Sequence, residues 1–122
     1  MKAVITLYPP LTSRLDRLDP VAAIDIELGC TPLTGQKLTL MSDEHIKVRP
    51  WDSSPGTSLN NNYWFTLIQL PDYFTAIVEN VSWEISGSEV VMCIDAMFEQ
   101  KKHADFVTKT MQKIGKARKK AI

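Results

Sequence analysis

Residues 80–95 read NVSWEISGSEVVMCID, and the pairing they permit decides the fold class. Two runs of strand-forming residues, 80–85 and 90–95, flank Ser86-Gly87-Ser88-Glu89. Gly87 has no Cβ, so it can take the positive φ that the first central position of a type II′ turn requires. Closing the chain there sets Ile85 opposite Val90, Trp83 opposite Met92 and Val81 opposite Ile94. One face of the ribbon is then wholly apolar, while the reverse pairs Glu84 with Val91, Ser82 with Cys93 and Asn80 with Asp95. A slip of one residue would turn every side chain to the other face, so the register is strongly specified.

Outward from this hairpin the chain continues in short β-type segments. AVITLY (3–8) is rich in β-formers and stops at Pro9-Pro10, since proline cannot donate to a ladder. LTSRLDRLD (11–19) has the leucine spacing of one short helical turn, with Ser13 available as its cap. In PVAAIDIELG (20–29) the alternation of Ile24, Ile26 and Leu28 with Asp25 and Glu27 favours a strand, although Asp19-Pro20 and Gly29 are also helix punctuation. YWFTLIQL (63–70) is a continuous apolar run of the kind that suits a buried central strand. FTAIVENV (74–81) fits either a strand or a helix. SSPGTSLNNN (53–62) reads as a loop.

A second hairpin is expected from KLTLM (37–41) and HIKVR (45–49), joined by Ser42-Asp43-Glu44, with Leu40 opposite Ile46 and Leu38 opposite Val48. The surrounding stretch, LGCTPLTGQKLTLMSDEHIKVRP (28–50), resembles the loop-then-hairpin segment of AbrB-type swapped-hairpin DNA-binding proteins through Leu28, Gly29, Leu33, Gly35, Leu38 and Leu40. It lacks the turn glycine usual in that family and involves no other part of the chain, so it transfers no residue roles.

The composition is that of an ordinary globular chain, with 44% hydrophobic and 23% charged residues in 122. One domain is expected at this length: an acidic β-rich body over 1–100 and a basic helix over 101–122. The zero net charge conceals that division. Residues 1–100 hold six basic and thirteen acidic side chains, a net of −7, and residues 101–122 hold eight and one, a net of +7. On a helical wheel of 101–121, Ala104, Val107, Met111 and Ile114 share one face, while Lys102, Lys109, Lys113, Lys116 and Lys120 fall within an arc of about 60° opposite it. Such a row can track a phosphate backbone, displacing condensed counterions. It also suits an acidic protein surface, or simple solvation of a helix whose C-terminal cations favour its dipole. Trp51, Tyr63 and Trp64, beside the amides of Asn60, Asn61 and Asn62, are aromatics that would stack unpaired bases if exposed, or fill the core if not.

Enzymatic machinery is not legible. The sequence has no GxSxG, P-loop, GxGxxG or HExxH pattern. Its two histidines stand apart, His103 in the basic tail and expected in solvent, His45 beside Asp43 and Glu44 in a polar turn. Cys30 and Cys93 lack metal-ligand spacing and read as two free, partly buried thiols. No cofactor or metal is expected, no run approaches a membrane span, and without a signal-peptide pattern the expected compartment is cytoplasmic.

The sequence therefore predicts an α+β fold: a mainly antiparallel sheet of five or six strands, flat or barrel-like, with a C-terminal amphipathic helix. The expected function is that of a small non-enzymatic binding protein whose helix engages nucleic acid. The alternative is a protein-binding accessory factor or inhibitor, of the phage or mobile-element kind, acting through the acidic body. An exposed edge strand would also offer a second copy a place to pair, giving a homodimer.

Overall fold

The computed structural model describes residues 1–10, 19–41, 47–49, 51, 65–66 and 73–120, with backbone alone at 47, 65–66, 111 and 113–120. The described elements are β1 (Lys2–Tyr8), β2 (Ala22–Glu27), β3 (Lys37–Met41), β4 (Lys47–Arg49), β5 (Phe65–Thr66), β6 (Tyr73–Ser86), β7 (Glu89–Phe98) and α1 (Lys101–Lys120). The strands form one curled sheet in the order β3-β6-β7-β1-β2-β4-β5, in which β5 contributes only two residues. Every pairing is antiparallel except that of β1 with β7. The α+β architecture read from the sequence is the one observed.

The hairpin of β6 and β7 has the register its sequence dictates. Ile85 faces Val90, Trp83 faces Met92 and Val81 faces Ile94. Gly87 has a φ of 59° and Ser88 does not share the positive sign, which is the type II′ pattern. An irregularity between Val78 and Asn80 inserts Glu79 as an extra residue. This bulge shifts the alternation by one, so Phe74, Ala76 and Val78 lie on the same face as Val81, Trp83 and Ile85. The stretch 74–81, open between helix and strand on its pattern, is therefore strand. So is 22–27, as its alternation favours.

Rows of apolar side chains cross the sheet on that face. Val48, Ile24, Ile5, Ile94 and Val81 form one row through successive pairings, and Ala22, Leu7, Ala96 and Val78 form the next. Phe74 and Phe98 pack with ring centroids 5.3 Å apart near one end. α1 closes this face by burying Ala104 and Val107, two of the four residues on the apolar line its periodicity predicted; the side chains of Met111 and Ile114 lie outside the described set. Burying an Ile, Leu or Phe side chain in such a core is worth about 1.5–3 kcal/mol.

One expectation fails. β3 and β4 do not form a hairpin with each other. β3 pairs β6, with Leu40 opposite Phe74 and Leu38 opposite Ala76, whereas β4 pairs β2, with Val48 opposite Ile24. Their alternation specified which residues face the core but not which strand lies alongside. The hairpin on which the swapped-hairpin resemblance rested is thus absent. Of the run 63–70 only Phe65–Thr66 is described, and among the described strands it stands at the end of the sheet order, with β7 and β1 near the middle. The turn expected at 11–19, the loop at 53–62 and the Asp43, Glu44 and His45 group lie essentially outside the described residues.

Candidate functional site

Gln100 leads into α1, its carbonyl accepting from the N–H groups of His103 and Ala104 at 3.2 and 3.4 Å. The first turn then carries Lys101 and Lys102 and no acid. Cations at this end oppose the helix dipole, whose N-terminus is already positive. The placement works against helix stability, and it concentrates positive potential at the start of α1. Lys101, Lys102, Asp105, Lys109 and Gln112 are exposed, while Phe106, Thr110 and His103 are half-buried on the flank between Lys102 and the buried Val107. Lys102 and Lys109 thus share one solvent face, about 10 Å apart along the axis. Lys113, Lys116 and Lys120 continue that row by helical position, and their side chains lie outside the described set.

His103 is not in solvent as expected. Its ring stands edge-on to Phe74, with centroids 6.4 Å apart, and its Nδ1 is buried without a hydrogen-bond partner. Burial, reinforced by the Lys102 charge, holds its pKa below the ordinary 6.5. Helical spacing would have revealed this position, because His103 is adjacent on the wheel to Val107.

The reverse face of the sheet carries charges of both signs, with Lys2, Lys37 and Arg49 among its acids. Alternation turns Glu84, Glu89, Asp95, Asp25 and Glu27 away from the helix-covered side. Lys2 answers Glu89 at 2.7 Å, an exposed pair in which the hydrogen bond and charge raise the lysine pKa and lower that of the carboxylate. Arg49 is withdrawn from water and grips Asp25 with two nitrogens, Nε to Oδ2 at 2.8 Å and Nη2 to Oδ1 at 3.1 Å. Cys93 also lies on this face; burial first, then Glu84, pushes its thiol pKa up. Both cysteines are free thiols, but Cys30 is exposed where partial burial was expected. Among the described residues, no group of three or more His, Cys, Asp or Glu is arranged to hold a metal ion. Among them too, no helix is long and apolar enough to cross a membrane.

The aromatic candidates divide. Trp51 is 48% exposed, as a base-stacking side chain would need to be. Tyr63 and Trp64 lie outside the described residues. Among those described, no hydrogen bond or ring contact links Trp51 to the lysines.

One surface went unread in the sequence. Trp83, Ile85 and Val90, apolar residues of the hairpin, are 46%, 73% and 44% exposed. They lie on the apolar face at the turn end of the hairpin. Next to Val90, by extension of the parallel register, is Met1, itself exposed. Alternation named the correct face; it could not say how far the opposing layer extends. No protein-family model, curated protein or solved structure matches this chain.

Proposed function

We propose that this is a small binding protein whose basic helix engages the phosphate backbone of nucleic acid. The observation that carries the reading is the use of α1's apolar line, Ala104 and Val107, for docking, which leaves Lys102 and Lys109 in solvent at the head of a five-lysine row. A purely stabilising arrangement would put acids, not Lys101 and Lys102, in the first turn. Charge segregation supports the same reading. Residues 1–100 carry a net of −7 and residues 101–122 a net of +7, so the molecule would approach nucleic acid helix first. Nothing in this arrangement reads base edges, so the binding would be independent of sequence.

A salt titration tests it. Binding through the row gives log affinity falling with log salt by about 0.7 to 0.9 per phosphate contacted, hence a loss of at least about tenfold between 50 and 200 mM for three contacts. Changing Lys102, Lys109, Lys113, Lys116 and Lys120 together to Gln, a good helix former, should flatten that slope while preserving the circular dichroism spectrum. Absence of binding by the wild-type chain to single- or double-stranded DNA or RNA at about 50 mM salt would sink the reading.

A second reading has its own observation. The exposed Trp83, Ile85 and Val90 form an apolar surface of the kind that marks protein contacts, and apolar side chains suit a protein better than a polyanion.

A further inference from the structure

The outer edge of β6 is occupied for only part of its length. β3 covers it from Tyr73 to Ile77, and Val78 completes the contact by bonding Gly35 N–H and Gln36 C=O at 2.7 and 2.9 Å. Gly35 then takes a φ of 91° and the chain turns away at the bulge. No strand among the described residues pairs with the outer edge of 80–86, and all of these but the half-buried Val81 are exposed. With a two-residue turn, Ser86 and Glu89 form the hydrogen-bonded pair nearest the loop, and such pairs recur at every second residue. The backbone groups of Val81, Trp83 and Ile85 therefore point outward, beside the exposed apolar side chains of Trp83 and Ile85.

We infer that this edge pairs antiparallel with the same edge of a second copy, about a twofold axis at Trp83. The edge is complementary to itself in one register. Residue 83 is the midpoint of 80–86, so this register alone pairs the whole open edge with itself. It sets Trp83 against Trp83 of the second copy and Val81 against Ile85, apolar against apolar, with Ser82 opposite Glu84 and Asn80 opposite Ser86. A one-residue slip would oppose apolar to polar side chains. Slips of two residues fail differently. One sets Glu84 against Glu84, a destabilising like-charge pair; the other drives the Gly87 turn into the place that β3 holds beside Ile77. The outward groups of Val81, Trp83 and Ile85 then make six backbone hydrogen bonds across the axis, and the apolar rows run from one sheet into the other.

This pairing keeps the same face of both sheets on one side, so both α1 helices lie on that side. It rests on the β6 edge and not on the lysines, so it stands or falls apart from nucleic-acid binding.

Sedimentation equilibrium of the full chain should show a monomer–dimer equilibrium, and Trp83→Glu, which opposes two carboxylates at the axis, should shift it to monomer with unchanged circular dichroism. Register is read by cysteine cross-linking in a Cys30→Ser, Cys93→Ser background. Trp83→Cys should form a disulfide-linked dimer on mild oxidation, because directly opposed Cα atoms lie about 5.5 Å apart, within disulfide reach. Ser82→Cys, opposite Glu84, should form far less. A wild-type chain that stays monomeric up to about 1 mM overturns the inference. So does a dimer that survives Trp83→Glu, or one that cross-links no better at 83 than at 82. A monomeric chain whose β6 amides gain exchange protection only from an added strand peptide would assign the edge to a different protein, also overturning it.

Discussion

Trp83 lies directly across from Met92 in the β6–β7 ladder, yet Met92 is fully buried while nearly half of Trp83 remains in solvent. One apolar pair thus straddles the boundary of the core. Met92 sits between β6 and β1, with Ala3 on its other side, whereas Trp83 has open edge beyond it.

That boundary should be visible in stability. Met92→Ala removes a side chain from a closed environment and should cost about 2–4 kcal/mol through lost transfer energy and the cavity left behind. Ile85→Ser, at the exposed end of the same face, should stay within about 0.5 kcal/mol. Urea unfolding in dilute solution measures both, and equal costs at the two positions would show that the core extends to the turn.

His103 should make stability depend on pH in the mildly acidic range. Its folded-state pKa is lowered, so as pH falls through 6.5 the unfolded chain takes up the proton more readily than the folded one. The melting temperature should therefore drop below pH 6.5, with no contribution from this group above it, where both states are neutral. A His103→Phe variant, which keeps a ring beside Phe74 but cannot titrate, should lose less on the same acidification. Parallel melting curves between pH 5 and 8 would refute the assignment.

The ion pair of Arg49 and Asp25 should matter more than the other salt bridges. Asp25→Asn removes the carboxylate that two guanidinium nitrogens grip, in a site where Arg49 is 3% exposed, and should cost about 3 kcal/mol. Glu27→Gln, which breaks an exposed pair with the chain's amino group at 2.9 Å, should cost less than about 1 kcal/mol. Comparing the two denaturation midpoints decides whether burial sets the difference.

The sequence was informative where the deciding interactions are local. The 80–95 hairpin could be read because one glycine and a strict alternation fix partner and register within sixteen residues, and α1 could be read because its apolar line repeats at helical spacing. Partner choice for β3 and β4 was not local. Leu38, Leu40 and Val48 announced a buried face, but whether they met each other or Ala76, Phe74 and Ile24 depended on strands far along the chain. In the candidate site, the lysine row was legible for the same reason as the helix. The bare end of the hairpin was not, because exposure there is set by what the second layer fails to reach. His103 was misread by counting its charged neighbours and overlooking its place on the wheel.

The parallel contact of β1 with β7 also imposes an order of events. β1 and β2 are near in sequence and can zip together early, but the other side of β1 is completed only by β7, with Ala3 opposite Met92. During synthesis β1 must therefore wait, half-paired, until β7 has emerged. Closing so long a loop is slow, because its entropy is lost before the contact is gained. Until then an apolar strand edge stays open to other nascent chains, and the interval before β7 arrives is when this protein is most exposed to misassembly.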